Sequence, residues 1–331
     1  MKKLLLIFCF PILCFSQQSF NFIHDGISRE YIYYSPNNLP VNAPLVFVAH
    51  GFTGSAIGIM GYSGMNTIAD QNGFAVCYPK GTVDNWGNNF WNVGYDFHFG
   101  VTVDDVGFLE SLALYLQSTY QLSTTNTFIT GMSNGGEICY SLAFDGSNVF
   151  KAYAPVAGSV FPNGTVNNLF NPNTPAPFFI THGDNDNVTL YEGDLNDQFW
   201  GPYLGVDTLV DFWVNENSLT SVNIDTFPDL NNDGNITISK KYYSPLTNNE
   251  VWLYVHQNDH SWGDSDIIIE QEIWDFFSLY INNSSEVLEY NNNKKLVSIS
   301  NLFGQNINKS NNTFLLFLYD DGSVEKKLLL K

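Results

Sequence analysis

The sequence predicts an α/β fold built on a mostly parallel sheet, and three features carry that expectation. Short, continuously apolar runs recur between residues 45 and 183, amphipathic stretches separate them, and a Gly-x-Ser-x-Gly corner leads from one run into the next stretch. Runs that are apolar at every position suit strands covered on both faces. Alternation with helical stretches supplies the crossovers that parallel strands need.

Taken in order, the chain opens with MKKLLLIFCFPILCFS, residues 1–16. Lys2 and Lys3 precede an apolar stretch too short to span a bilayer comfortably, the pattern of an export signal peptide. A lipoprotein signal acylated at Cys14 fits less well, because Leu13 is bulky where a small residue is wanted. No later segment has a spanning length of apolar residues, so a secreted body over residues 17–282 is expected, without stable membrane insertion. LVFVAH (45–50), FAVCYP (74–79), TFIT (127–130), AYAPVAG (152–158) and PFFITHG (177–183) read as its strands. DDVGFLESLALYLQSTY (104–120) reads as a helix whose two leading Asp complement the helix dipole. Residues 206–217 and 267–281 read as further helices.

Two stretches break this rhythm. Residues 80–103 form a long loop rich in Gly, Asn and aromatics, more typical of a binding surface than of a plain connection. DLNNDGNIT (229–237) begins like a calcium loop, but Lys240 stands where the twelfth-position acid belongs. It therefore reads as an Asp-Gly turn between strands. Beyond residue 282 the composition turns polar and linker-like. The end then alternates apolar and polar residues around another Asp-Gly pair, as short antiparallel strands do.

Charge narrows the partners. The net charge is −20, and residues 17–284 hold only Arg29, Lys80, Lys151, Lys240 and Lys241 as basic groups. Such a body repels nucleic acid and anionic membrane surfaces, so a neutral or weakly charged substrate is expected. Cys77 and Cys139 lie in apolar stretches and read as buried thiols, with no histidine cluster to make a metal site.

The chemistry centres on TFITGMSNGG, where Gly131-Met132-Ser133-Asn134-Gly135 turns a strand into a helix. That corner strains the Ser backbone, exposes its hydroxyl and aims the helix N–H groups at the same point. A serine hydroxyl needs a base. In this arrangement an acid and then a histidine follow the serine, which leaves His256 and His260. His260, in the loop beyond the strand, is the better base; His256 ends the strand. FFITHGDNDNV offers Asp184 and Asp186 as orienting acids, with Asp194 less well placed. The oxyanion donors are expected to be the N–H of Asn134 and an N–H of Phe52 or Thr53 in HGFTGS. Trp91, Trp262 and Trp86 lead a set of loop aromatics, Trp200 and Tyr203 among them, expected to contact substrate.

VFVAHGFTGS, YPKGT with FWN, VDDVGFL, ITGMSNGGEICYSLA, THGDNDNV and NDHSWG together resemble exported α/β-hydrolase esterases. The group is that of polyhydroxybutyrate depolymerases and feruloyl or acetylxylan esterases, carbohydrate esterase family one. Over roughly residues 30–281 the resemblance implies Ser133 as nucleophile, Asp186 as acid and His260 as base. It implies acyl transfer without metal or organic cofactor, on an ester-bearing polysaccharide or, alternatively, a polyester. A serine peptidase of the same fold and a non-catalytic cell-surface module are the rival readings. NLFGQNI and DDGSVEKKLLLK resemble the C-terminal sorting domain of the bacterial type IX secretion system. That resemblance implies residues 283–331 are a linker and sorting tail that engages this machinery, leaving the protein extracellular or surface-attached.

Overall fold

The computed structural model describes residues 19–162 and 175–282, together with 296–301, 313–319 and 324–329. The signal-peptide expectation falls outside these residues, as do the linker at 283–295 and most of NLFGQNI. The chain divides into two compact units, Met1–Asn282 and Asn283–Lys331.

In the first unit a hairpin of β1 (Ser19–His24) and β2 (Ile27–Tyr34) precedes β3 (Leu45–Ala49). Helices α1 (Ala56–Ser63) and α2 (Met65–Asn72) follow, then β4 (Ala75–Pro79) and the two-residue strands β5 (Thr82–Val83) and β6 (Asn89–Phe90). Next come α3 (Asp105–Tyr120), β7 (Thr127–Met132), α4 (Asn134–Phe144), β8 (Phe150–Val156) and β9 (Phe178–Gly183). The unit closes with α5 (Val206–Glu216), β10 (Ser221–Thr226), β11 (Thr237–Tyr243), β12 (Val251–His256) and α6 (Ile269–Ser278).

Ten of these strands form one sheet in the order β1-β2-β4-β3-β7-β8-β9-β12-β11-β10. The pairs from β4 across to β12 are parallel, and the two strands at each edge run antiparallel. The expected α/β architecture is therefore observed, the Asp-Gly turn at 229–237 does join two strands at one edge, and the β1–β2 edge is one the sequence reading did not anticipate.

Side-chain alternation explains why two helix layers form. Leu45, Phe47 and Ala49 of β3 join the core with α3, α4 and α5, whereas Val46 and Val48 face α1, α2 and α6. Successive strand residues point to opposite faces, so a strand apolar throughout must be covered twice. Fully burying each such Leu, Val or Phe contributes about 1.5–3 kcal/mol.

Chain order also locates a crevice. From β3 the chain moves to β4 on one side, and then returns to place β7 on the other side of β3. The loops leaving β3 and β7 consequently go to opposite faces, and crevices beyond strand ends at such switch points are where α/β sheets bind ligands.

Among its described residues the second unit has three antiparallel strands, β13 (Leu296–Asn301), β14 (Thr313–Tyr319) and β15 (Val324–Leu329), in that order.

Candidate active site

Ser133 occupies the corner between β7 and α4 with φ 56° and ψ −122°. An L-residue avoids that region, so its surroundings must enforce it. The two glycines of the motif show how. A Cβ on Gly131 would sit 2.3 Å from the Gly135 carbonyl oxygen, and one on Gly135 would sit 2.2 Å from that of Ala49. Strand, helix and the neighbouring strand touch backbone to backbone here. The Ser133 N–H donates to Val156 O at 2.8 Å, which ties the corner to β8.

Asn134 opens α4, and its side chain locks the corner to the long loop. Its Oδ1 accepts from Trp91 N at 2.7 Å and its Nδ2 donates to Trp91 O at 3.0 Å. The Trp91 indole N–H in turn donates to His50 O at 2.8 Å. His50 completes the tie: its Nε2 accepts from Gly81 N at 3.0 Å while Nδ1 donates to Gly51 O at 2.7 Å. Burial lowers the His50 pKa to about 4, so it is neutral at ordinary pH.

The acid and the base meet across 74 residues of chain. His260 Nδ1 lies 2.7 Å from Asp186 Oδ2. Asp186 Oδ1 accepts from the N–H groups of Val188 at 2.8 Å and Thr189 at 2.9 Å. Burial pushes this carboxyl's pKa up. The hydrogen bonds from His260, Val188 and Thr189 outweigh burial and hold it below the ordinary value. His182 stands behind, its Nε2 donating to Thr189 O at 2.7 Å, with its pKa lowered by burial.

The competing residues go elsewhere. Asp184 is exposed. His256 is buried at the end of β12, where neither ring nitrogen has a partner among the described residues and burial lowers its pKa to about 4.

Ser133 and His260 line one cavity of about 200 Å³, together with Phe52, Tyr95, Glu137, Phe161, Val188, Thr189, Trp200 and Tyr203. Ser133 Oγ makes no hydrogen bond to a described residue, and links of this kind often tighten only once substrate is bound. The Phe52 and Asn134 N–H groups also form no hydrogen bond to a described residue. Thr53 departs from expectation: its N–H donates to Asn89 O at 2.8 Å, which leaves Phe52 as the donor from that turn.

The expected aromatics divide among separate hollows. Trp91 is wholly buried, and its polar contacts are the hydrogen bonds to Asn134 and His50. Trp262, 7 % exposed, lies edge-on to Tyr62, with ring centroids 6.1 Å apart, and lines a different hollow. Trp86 is exposed and borders another cavity beside Phe97 and His98. The aromatics lining the cavity with Ser133 are Phe52, Tyr95, Phe161, Trp200 and Tyr203, of which Trp200 and Tyr203 belong to the expected set.

Glu137 is the residue that sequence reading missed. One turn beyond Ser133, its Oε2 accepts from Tyr95 Oη at 2.5 Å and Asn134 Nδ2 at 3.2 Å. Burial raises its pKa to about 7, against those hydrogen bonds. The available signal was a lone acid on the helix face that the motif turns inward.

Cys77 and Cys139 are buried free thiols. Of the two Asp at the start of α3, only Asp104 caps the helix, accepting from Gly107 N at 2.8 Å. Asp105 is buried against Arg29 at 2.6 Å, an ion pair the sequence did not reveal. No helix among the described residues is long and apolar enough to cross a membrane.

Comparison with known proteins follows the same lines. Residues 29–168 match the family model described as esterase PHB depolymerase. The bifunctional acetylxylan esterase/xylanase XynS20E of Neocallimastix patriciarum is 29% identical over 184 residues, 54% of this chain and 25% of that protein. A probable feruloyl esterase C of Aspergillus niger is 26% identical over 191 residues, 55% of this chain and 64% of the relative. The chain thus spans less than two thirds of either relative's length. Among solved structures, an acetyl xylan esterase from Aspergillus awamori superimposes with a TM-score of 0.53 at 15% identity, covering 76% of this chain and 94% of that one. The chain has an α/β-hydrolase fold.

Proposed function

We propose that the chain is a secreted serine carboxylic-ester hydrolase working through an acyl-enzyme. The observation carrying this reading is the shared cavity: a strained Ser133 and a His260 anchored to buried Asp186 open onto the same space. His260 takes the Ser133 proton as Oγ attacks the ester carbonyl, and Asp186 holds the imidazole and stabilises its cation. The N–H groups of Asn134 and Phe52 receive the oxyanion, and the α4 N-terminus adds its dipole. His260 then protonates the departing alcohol. Water repeats the sequence to free the acid, with no cofactor needed.

Names of relatives and the lining of the cavity support an ester carried on a polysaccharide. Five aromatic rings around about 200 Å³ suit a hydroxycinnamoyl group stacked face or edge against them. The family-model match supports the alternative, a polyester of hydroxyalkanoates. Residues 17–282 would be the esterase and 283–331 a linker and type IX sorting tail, following export by residues 1–16.

Incubation with methyl ferulate, acetylated xylan and polyhydroxybutyrate, using Ser133→Ala as blank, tests this reading. Release of ferulate or acetate by wild type only is expected. Release of hydroxybutyrate alone would select the polyester reading, and equal release by the mutant would end the serine mechanism.

A further inference from the structure

The long loop of residues 80–103 builds a second hollow beside the catalytic cavity. Its volume is about 550 Å³, and Trp86, Phe97 and Phe99 of the loop line it together with Glu30 and Lys80. Ligand sites ordinarily measure about 300–1,000 Å³ and combine apolar walls with a few polar groups. Trp86 is 65 % exposed and Phe99 97 %. Large rings left in water around a concave surface mark contact with a partner.

A wall of rings separates this hollow from the Ser133 cavity. Phe97 and His98 line the hollow, whereas Phe52, Tyr95 and Trp200 line the catalytic cavity. Across the wall the Phe97 ring centroid lies 5.8 Å from that of Phe52 and 5.7 Å from that of Trp200. The rings also form a continuous ridge. Trp86 meets Phe97 edge-on at 6.0 Å, Phe97 meets Phe199 at 5.3 Å, and Phe199 meets Trp200 at 4.8 Å. Phe199 is 63 % exposed, so the ridge that starts at Trp86 and ends at the catalytic cavity is open to solvent at two of its four rings.

Given the esterase reading above, on which this rests, we infer that the Trp86 hollow and its ridge bind the backbone of a neutral polysaccharide whose ester side group enters the Ser133 cavity. A sugar ring carries C–H groups on its faces, which pack on aromatic rings, and hydroxyls around its edge, which need donors and acceptors. The hollow supplies both. Glu30 and Lys80 pair at 3.5 Å while their side chains stay 41 % and 31 % exposed, and Asn85 beside them is exposed. A polyester chain offers carbonyl acceptors but no donor. Glu30, an acceptor only, would give up water to it and gain no hydrogen bond in return. The net charge of −20 disfavours an acidic polysaccharide.

The test uses the full chain carrying Ser133→Ala, which leaves a polymer-borne ester intact, run in native gels containing soluble xylan. Xylan is expected to retard this protein, and adding Trp86→Ala should raise the apparent Kd at least about tenfold, the loss of one stacking contact. Phe199→Ala, on the ridge, should also weaken binding. Leu246→Ala, an exposed apolar residue between β11 and β12, should leave it unchanged. With Ser133 restored, Trp86→Ala should lower kcat/KM on acetylated xylan at least about fivefold more than on methyl ferulate, chiefly through KM. Methyl ferulate hydrolysis by wild type without any retardation of Ser133→Ala by xylan would overturn the subsite and leave the esterase reading standing. Retardation that Trp86→Ala abolishes, with no ester hydrolysed by wild type, would uphold the subsite and refute the esterase. Equal retardation with and without Trp86 and Phe199, or Trp86-dependent adsorption to polyhydroxybutyrate granules in place of xylan binding, would also overturn the subsite.

Discussion

The Ser133 corner and the His260 loop face the same cavity but are built differently. The corner, residues 131–137, is held by main-chain contacts that leave no room for a single methyl group. The loop, residues 257–266, meets the main chain of β9 at Gly183, where a Cβ would sit 2.2 Å from the Asn258 carbonyl oxygen, and is otherwise tied by individual side-chain bonds. His260 meets Asp186 at 2.7 Å, Trp262 N donates to Tyr62 Oη at 3.0 Å, and Thr237 Oγ1 donates to Asp264 Oδ2 at 3.0 Å. The nucleophile thus sits on a rigid scaffold, while the base sits where single bonds can be lost one at a time. Substitutions of the corner glycines should therefore act through folding, and those in the loop through catalysis.

Asp186→Asn should produce the largest effect. The amide cannot stabilise the imidazolium and favours the wrong tautomer, so kcat on an aryl ester should fall about 10³–10⁴-fold with little change in KM. A fall below about tenfold would show that the Asp186–His260 contact is only structural. Asp186 also makes a pH prediction. Its folded pKa is depressed, so the stability it contributes is present above its unfolded value near 3.9 and disappears as pH falls through the folded value. Urea titrations below about pH 4 should show that loss in wild type and not in the Asn variant.

Gly135→Ala comes next. The new methyl group would collide with the Ala49 carbonyl, so unfolding stability should drop by about 3 kcal/mol, since backbone cannot yield as a flexible side chain can. A variant of wild-type Tm would mean the corner is looser than its geometry implies.

A smaller and oppositely signed effect is expected at Glu137. Its folded pKa of about 7 exceeds the unfolded value near 4.3, so stability falls as pH rises from about 4.3 to 7, where only the unfolded state has released the proton. Glu137→Gln removes that slope and should stabilise the protein at pH 8 by about 1–3 kcal/mol. Thermal unfolding at pH 5 and 8 checks it, and a Tm difference between the two pH values equal to that of wild type would contradict it.

The same contrast explains what the sequence made legible. The Ser133 corner could be read because its constraints are local: two glycines, a strand and a helix lie within a few residues of one another. The parallel strands were legible for the same reason, each being apolar throughout. Tyr62 and Trp262 meet across 200 residues, and nothing in either segment announces the other. Arg29 with Asp105, and Glu137 with Tyr95, are likewise pairs made by topology alone. The β1–β2 hairpin was legible but passed over: Asp25-Gly26, with φ of 49° and 77°, is an Asp-Gly hairpin turn flanked by alternating residues. Trp91 misled because an aromatic in a loop motif resembles a binding residue until its burial is known.

Tyr62→Phe gives the mildest test of the contrast. Losing one acceptor for the Trp262 N–H should cost about 1 kcal/mol and lower kcat a few-fold, with Gly135-type instability absent. An unchanged kcat would show that this bond does not help hold the base.

The most direct measurement is fluorophosphonate labelling of the purified chain followed by peptide mass spectrometry. One adduct is expected, on the peptide carrying Ser133, absent in Ser133→Ala and slowed at least about 100-fold in His260→Ala. No adduct on that peptide, or equal labelling with His260 removed, would contradict a serine activated by this histidine.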